Sequence, residues 1–549
     1  MQVKSKSLKT IENQTSYFGC TFFLEEDIRY EIENCAFYNC SFRTNAVFRK
    51  IENCRFDNCN FSNIFCVDLS DSNAVVLPLT MEQLSCLTHL NLSRTKITAL
   101  PKEIGLLSSL THLFFDYVTE ATEISIKEFT ILASFAYLYL DETPITDLPQ
   151  EIEKFSQCNY VYLKKKINKL PKEIGLLSSL KHLSLQFTQI TELPKEIGLL
   201  SSLTCLNLQG TGITEFPKEI EQLSSLTHLD LSSTDIEKLP KEIGQLSSLT
   251  HLNLSFSKIT ELPKEIGQLS SLAILDLRGS RISKLPKEIG QLAALTHLDL
   301  GNTTITELPK EIGQLSSLTH LYLRGANIRH LPKEIGQLLS LMYLYVGRTK
   351  IGDLPKEMER LSALAHLDLS GTEITELPKV VAALSSVTHL YLENTKISNL
   401  PQEINELSLL THLYLKETGI TEFPIDLASL NLACLDLEGT KISKLPAKIK
   451  QFSSLTHLFL GKTEIRHLPK AIGELVSLTH LDLQGTQIKK LPKEIGELSS
   501  LCQLDVQDTK LEELPQEIEH LSSLTHLHLQ NTNIEDLPKW TERLSHLFQ

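Results

Sequence analysis

Several absences narrow the reading of this 549-residue chain before any pattern is considered. No apolar run approaches the roughly 18 residues that a membrane-spanning helix needs. The opening MQVKSKSLKTIENQTSYF lacks the apolar stretch of a secretory leader. Positive charge is the scarcer sign: 53 Lys and Arg against 67 Asp and Glu leave a formal net charge of −14. That balance excludes the basic footprint of a nucleic-acid binder, and Lys164, Lys165 and Lys166 make only a local patch. Motifs that carry chemistry are missing too. There is no G-x-x-x-x-G-K-[ST] phosphate loop, no G-x-S-x-G and no H-E-x-x-H, so no catalytic residue, cofactor or metal is assigned. The 11 cysteines are odd in number and sit mostly beside core-type residues, which reads as free thiols in a reducing compartment. The expectation is a soluble, cytoplasmic protein, although delivery by a specialised secretion machine would leave no recognisable mark.

What the sequence does contain is a proline every 23 residues from Pro171 to Pro424, continued after one 22-residue step by Pro446, Pro469, Pro492, Pro515 and Pro538. Alignment on that marker gives L-x-x-L-x-L-x-x-T-x-I-x-x-L-P-x-x-I-x-x-L-x-x in twenty units, the first centred on Leu87–Ile97 and the last on Leu524–Ile534. Within HLNLS (251–255) the period is two, so Leu252 and Leu254 are predicted to point inward, and His251, Asn253 and Ser255 outward. The proline then opens a short helical segment in which Ile243 and Leu246, three apart, share an inward face. One unit has too few apolar side chains to offset the ordering of 23 residues, so stacking on neighbours is obligatory.

This unit resembles the leucine-rich repeat, and the likeness covers about residues 79–549. The LPKEIGQLSSL segment is similar to the 23-residue class of Scribble-like and Ras-binding scaffold proteins, plant resistance receptors and many bacterial repeat proteins. The resemblance implies an α/β solenoid, a curved horseshoe with parallel strands on its concave face and short helices on its convex face. Position nine of the family's unit is usually Asn. Here it is Thr in fifteen of twenty units, and Ser257 and Ser280 in two more. A hydroxyl there can still satisfy a buried carbonyl.

Departures from the period occur in three places. Pro101 to Pro149 spans 48 residues around ATEISIKEFTILASF, the next unit (QCNYVYLKKKINKLP) is one short, and the Pro424–Pro446 unit has lost a residue on its helical side. Residues 1–78 form a separate segment in which IENCAFYNCSF and IENCRFDNCNF are near-copies with Cys-x-Phe twice at a spacing of five. That resembles a pentapeptide-repeat β-coil and predicts a β-rich N-terminal cap. Cys35, Cys40, Cys54 and Cys59 also have zinc-like spacing, but the coupled Phe positions are better explained by coil packing. Trp540 is expected against the last rung.

Thirteen of the eighteen histidines occupy one position of the unit, His251 among them. Adjacent imidazoles there lie within reach of one metal, and Cys205 and Cys434 in the same column suggest a Cys–His nucleophile. A uniform open stripe lacks both a closed metal geometry and an oxyanion site, so the simpler reading is a solvated, duplicated face whose members charge below about pH 6. The units stop being copies where Tyr322, Arg324, Tyr343, Tyr345, Arg348, Tyr391 and Tyr414 gather with His366 and Asp368. Tyr and Arg are the residue types that dominate binding energy, so these nine are assigned as the partner-binding site. A second cluster is Tyr137, Tyr139, Tyr160 and Tyr162 beside Lys164–Lys166.

The function expected is a non-catalytic scaffold or recognition module binding a protein partner, with neither nucleic acid nor membrane. The alternatives are a bacterial effector or resistance-type sensor within a host or signalling complex, and a metal- or pH-responsive histidine surface.

Overall fold

A computed structural model describes residues 167–535 without a break. Before them it describes 2–4, 6–18, 20–22, 29–38, 41–42, 47–52, 55–57, 66–68, 87–91, 110–116, 137–141 and 158–163. The segment ATEISIKEFTILASF, Lys164–Lys166, Cys40, Cys54, Cys59 and Trp540 lie outside the described residues. The chain divides into two compact units, residues 1–274 and 275–549.

The first unit begins with short strands in parallel ladders. Gln2 pairs with Ser16, Ser16 with Ala36 and Ala36 with Arg55. Ser7–Leu8, Thr21–Phe22 and Ser41–Phe42 form a second ladder. Arg29–Glu33 and Val47–Glu52 start a third, which continues through Cys66–Asp68 to His89–Asn91, the first repeat strand. The Cys-x-Phe pattern explains the interior: Phe37 stacks on Tyr17 with ring centres 5.1 Å apart, and Phe22 packs edge-on against both. Cys35 is buried beside them, its thiol donating to the Glu12 carbonyl at 3.4 Å.

From His182–Ser184 onward each repeat contributes one three-residue strand. In the second unit the register is strict: His297 pairs with His320, Leu298 with Leu321 and Asp299 with Tyr322, and the same offset recurs down to His526. Leucine therefore meets leucine on every rung, and Leu252 and Leu254 are buried as their alternation requires. Ser255, expected outside with His251 and Asn253, is buried as well. Its N–H donates to the Asn253 Oδ1 at 3.0 Å, because the strand has ended and the chain is already turning.

Among the described residues the helical segments are single 3₁₀ turns of five residues, such as Lys241–Gln245, with one four-residue α-helix at Lys379–Ala382. Pro240 stands just ahead of the turn at φ −68°, ψ 152°, and its carbonyl accepts the Ile243 N–H at 3.1 Å. The glycine of EIG lets successive turns nest. A Cβ on Gly336 would lie 2.1 Å from the Glu357 carbonyl oxygen of the next rung. The shortened unit absorbs its missing residue between helix and strand: Gln402 to His412 is the regular ten-residue step, whereas Ile425 to Cys434 is nine, and Pro424 turns to ψ 70°.

The position-nine hydroxyls do what their chemistry allows. Thr303, Thr349, Thr372 and Thr486 are buried, and each donates to the carbonyl three residues back at 2.7 Å. Ser280, with the same hydroxyl on a freer rotor, leaves its oxygen buried without a partner. Replacing Thr486 by Val, which conserves shape and deletes that bond, should lower stability by about 0.5–1.5 kcal/mol. Thr486→Ser should retain most of it. Urea unfolding of both variants checks the difference, and an unshifted midpoint for Thr486→Val would remove the hydroxyl from the account.

Candidate functional site

On each rung the residues of odd phase in the strand face away from the leucine core, so three columns run along the strand face of each unit. The first column is the histidine stripe. In the second unit it is a continuous stack: ring centres are 4.0 Å apart for His297–His320, 4.3 Å for His320–Tyr343, 4.6 Å for Tyr343–His366, 4.2 Å for His366–His389 and 4.1 Å for His389–His412. The threonine before each histidine fixes its tautomer. Thr388 donates its only hydroxyl proton to the Ala365 carbonyl at 3.1 Å, so it can only accept from the His389 Nδ1 at 2.9 Å. Nδ1 therefore carries the proton and Nε2 the outward lone pair. His366 is the exception: it follows Ala365, and its Nδ1 is buried without a partner.

Burial holds His412 below the usual histidine range, burial and then the His412 ring hold His366 there, and burial with both neighbouring imidazoles brings His389 down to about 4. These three thus charge at lower pH than an exposed histidine. Among the described residues no group of three or more His, Cys, Asp or Glu side chains converges so as to hold a metal ion. Burial pushes the Cys434 thiol up to about 11, so at neutral pH it is not the thiolate that a Cys–His nucleophile needs.

The middle column explains where a site can arise. On ten of the twenty rungs it holds Asp or Asn, whose side-chain oxygen can cap the N–H two residues on, as Asp299 does for Gly301 at 2.8 Å and Asp482 for Gln484 at 2.8 Å. Tyr322, Tyr345, Tyr391 and Tyr414 replace that cap with rings. Tyr322 stacks on Tyr345 at 5.2 Å and Tyr391 on Tyr414 at 4.8 Å, while Tyr345 meets Tyr391 edge-on at 6.5 Å across the rung of Asp368. Beside these rings lies a cleft of about 920 Å³, whose lining includes Tyr322, Arg324, Tyr345, Arg348, Asp368 and Tyr391.

Six of the nine residues assigned from sequence therefore line one cleft. Tyr343 and His366 stay in the histidine stack, and Tyr414 supports Tyr391 from the adjacent rung. Asp368 is buried at 3% exposure, with its Oδ1 accepting the Ser370 N–H at 2.8 Å and its Oδ2 3.7 Å from the Arg324 Nη1. It anchors the arginine from beneath. Tyr162 of the second cluster is buried and bonded to Gln186, and Tyr160 is half-buried against His182.

Sequence reading missed Arg278, Asp299, Asn302, Glu393 and Lys416, which also line the cleft, as do Gly301 and Gly371. The arginines stood at scattered rungs, and the glycines signal only by lacking a side chain. Arg348 sits at φ +56° in the left-handed turn of its rung, a position that Gly325 and Gly371 hold on the flanking rungs and Phe256, Glu417 and Lys462 hold on others. Glu393 is raised to about 7, chiefly by burial and then by Asp368 and Asp436. Its Oε2 is buried without a partner.

With the columns and the cleft described, the comparisons decide the family. A profile of the leucine-rich repeat region matches residues 241–300, 287–351, 333–394 and 470–549, and a second leucine-rich repeat profile matches 178–236 and 430–488. A leucine-rich repeat protein of Leptospira interrogans is similar at 36% identity, over 74% of this chain and 98% of that one, with a TM-score of 0.63. The chain belongs to the leucine-rich repeat family. Plant peptide hormone receptor RGFR1, in complex with RGF2, is similar over 96% of this chain and 91% of its own at 22% identity, TM-score 0.59. The functional domain of InlJ from Listeria monocytogenes is similar over 64% and 73% at 23% identity, TM-score 0.51. At those identities the likeness is one of fold. No curated protein matches the chain. Leucine-rich repeat folds generally mediate protein–protein interaction and are typically non-enzymatic. In this leucine-rich repeat protein no helix of the described residues is long and apolar enough to cross a membrane.

Two outcomes follow from the stripe. Ala365→Thr restores the acceptor for the His366 Nδ1 and should stabilise the fold by about 1 kcal/mol, read by thermal or urea unfolding. A histidine held below its unfolded value binds its proton more readily when unfolded, so its penalty appears as pH falls from about 6.5 toward 4. Glu393, raised in the folded state, works in the opposite direction between about 4.5 and 7. The His389→Gln variant should therefore lose less melting temperature between pH 7 and pH 5 than the parent. An equal or larger loss would show that the stripe does not carry the acid sensitivity.

Proposed function

We propose that this chain is a non-catalytic recognition module that binds a protein partner at the tyrosine- and arginine-lined cleft of its second unit. The observation that supports this most is the convergence of Tyr322, Arg324, Tyr345, Arg348 and Tyr391, from three rungs, on one cleft. Stacked tyrosines present ring edges and hydroxyls that are already ordered, so little side-chain entropy is lost when a partner docks. Residues 1–78 serve in this reading as the segment that covers the apolar end of the first repeat. The working compartment is the reducing cytoplasm, in which Cys20, Cys35, Cys158, Cys205, Cys434 and Cys502 persist as thiols.

The test is a partner capture with the full chain, followed by mass spectrometry and repeated with Tyr322→Ala, Tyr345→Ala and Arg348→Ala combined. All three side chains leave the leucine core intact, so the variant should melt near the parent and lose the partner. Unchanged partner recovery would remove this cleft as the binding site.

A further inference from the structure

Most charged side chains that line the cleft are already matched within the fold. Arg278 pairs with Asp276 at 3.9 Å, Arg324 with Asp368 at 3.7 Å, and Lys416 with Glu438. Asp299 caps the Gly301 N–H. Two lining residues of opposite sign remain: among the described residues neither Arg348 nor Glu393 has an ion-pair partner. Arg348 is exposed, and its side chain passes over Gly371 of the next rung, where a Cβ would lie 3.3 Å from the Arg348 Cγ. Glu393 stands one rung further on, two residues beyond Tyr391. Its carboxyl turns back on its own backbone N–H, and its Oε2 is buried without a partner. A buried carboxyl oxygen with nothing to bond is unfavourable, and burial, with Asp368 and Asp436 nearby, raises Glu393 to about 7. A cation brought from outside would relieve both.

We propose that the cleft receives an extended segment of the partner that carries one acidic and one basic side chain, the acid meeting Arg348 and the base meeting Glu393. This rests on the recognition reading above and names the chemistry of the partner. At about 4.8 Å per rung, the two residues are set on rungs about 9.6 Å apart. A polyproline II segment returns the same face every third residue, about 9.3 Å along its axis. Grooves lined with aromatic rings suit that preformed helix. An acid and a base at positions i and i+3 therefore fall against Arg348 and Glu393 while the segment lies along the tyrosines. A segment with two acids would set one of them against Glu393, and a segment with two bases would set one against Arg348. The unmatched pair thus selects mixed charge, although a chain of net charge −14 attracts a purely basic peptide at long range.

The probe is a fluorescein-labelled peptide, Pro-Pro-Glu-Pro-Pro-Arg-Pro-Pro, titrated against the full chain by anisotropy beside two counterparts in which Gln replaces either the Glu or the Arg. The mixed peptide should bind most tightly. Arg348→Gln should weaken it roughly threefold and leave the peptide without Glu unchanged. Glu393→Gln should weaken it roughly tenfold and leave the peptide without Arg unchanged. Neither substitution should lower the melting temperature. Tightest binding by the peptide that keeps only the Arg would overturn the proposal by showing general attraction to an acidic chain. Equal losses for all three peptides on either substitution, or no loss on both, would overturn it as well. If no peptide binds while the triple variant still loses its captured partner, the mixed-charge inference falls and the recognition reading stands.

Discussion

The structure depends on one constraint: a rung of 23 residues cannot bury its own leucines and must borrow the next rung to do so. The borrowing is exact in register, Leu321 on Leu344 and Leu390 on Leu413, because parallel strands pair with a fixed offset. Everything outside the core inherits that offset. A residue type copied by duplication becomes a column, with the spacing of a β-ladder. That is why the imidazoles stack at about van der Waals distance and why each threonine can reach the carbonyl one rung back.

A column that repeats at this spacing tolerates few side chains. A column of lysines would repel itself at every step, whereas neutral imidazoles stack and pass their Nδ1 proton to a threonine. Burial strengthens the choice, since it favours the uncharged ring. In the middle column Asp and Asn are tolerated for another reason: each is consumed by a backbone N–H within its own rung. Replacing them by tyrosine gives up that cap on rungs 322, 345, 391 and 414, as Ser184, Phe459 and His528 do on other rungs. What sets the cleft apart is that its replacements are rings that stack on one another, Tyr322 on Tyr345 and Tyr391 on Tyr414.

The period, the inward leucines, the column positions and the hydroxyl-for-amide exchange at Thr303 or Thr486 were legible because each is a property of one repeat. The tyrosines and arginines of the cleft were legible as interruptions in the copy. What could not be read was whatever depends on two rungs at once. Asp368 looks like its half-buried equivalents Asp299 and Asp436 in sequence, yet it is buried, with the Arg324 guanidinium over it. Glu393 becomes a poor anion chiefly because it is buried between rungs, with Asp368 and Asp436 adding to the effect. Gly301 and Gly371 line the cleft without a side chain to mark them. Arg278 joins it from two rungs away, with nothing in its own unit to mark it.

The same two-rung logic explains how an acidic chain can hold a basic groove. Its carboxylates in the middle column are screened by backbone N–H groups and, at Glu393, by the cost of charging a buried oxygen, so they project little field outward. Arg278 and Arg324 leave two positions beyond the middle column, where Arg278 pairs with Asp276 at 3.9 Å and Arg324 with Asp368 at 3.7 Å, and Arg348 stands in the turn that follows its strand. Tyr343 completes the arrangement. It replaces the one histidine missing between His297 and His412, and its ring keeps the stack unbroken behind the cleft. The ring stack therefore runs unbroken behind the cleft from His297 to His412.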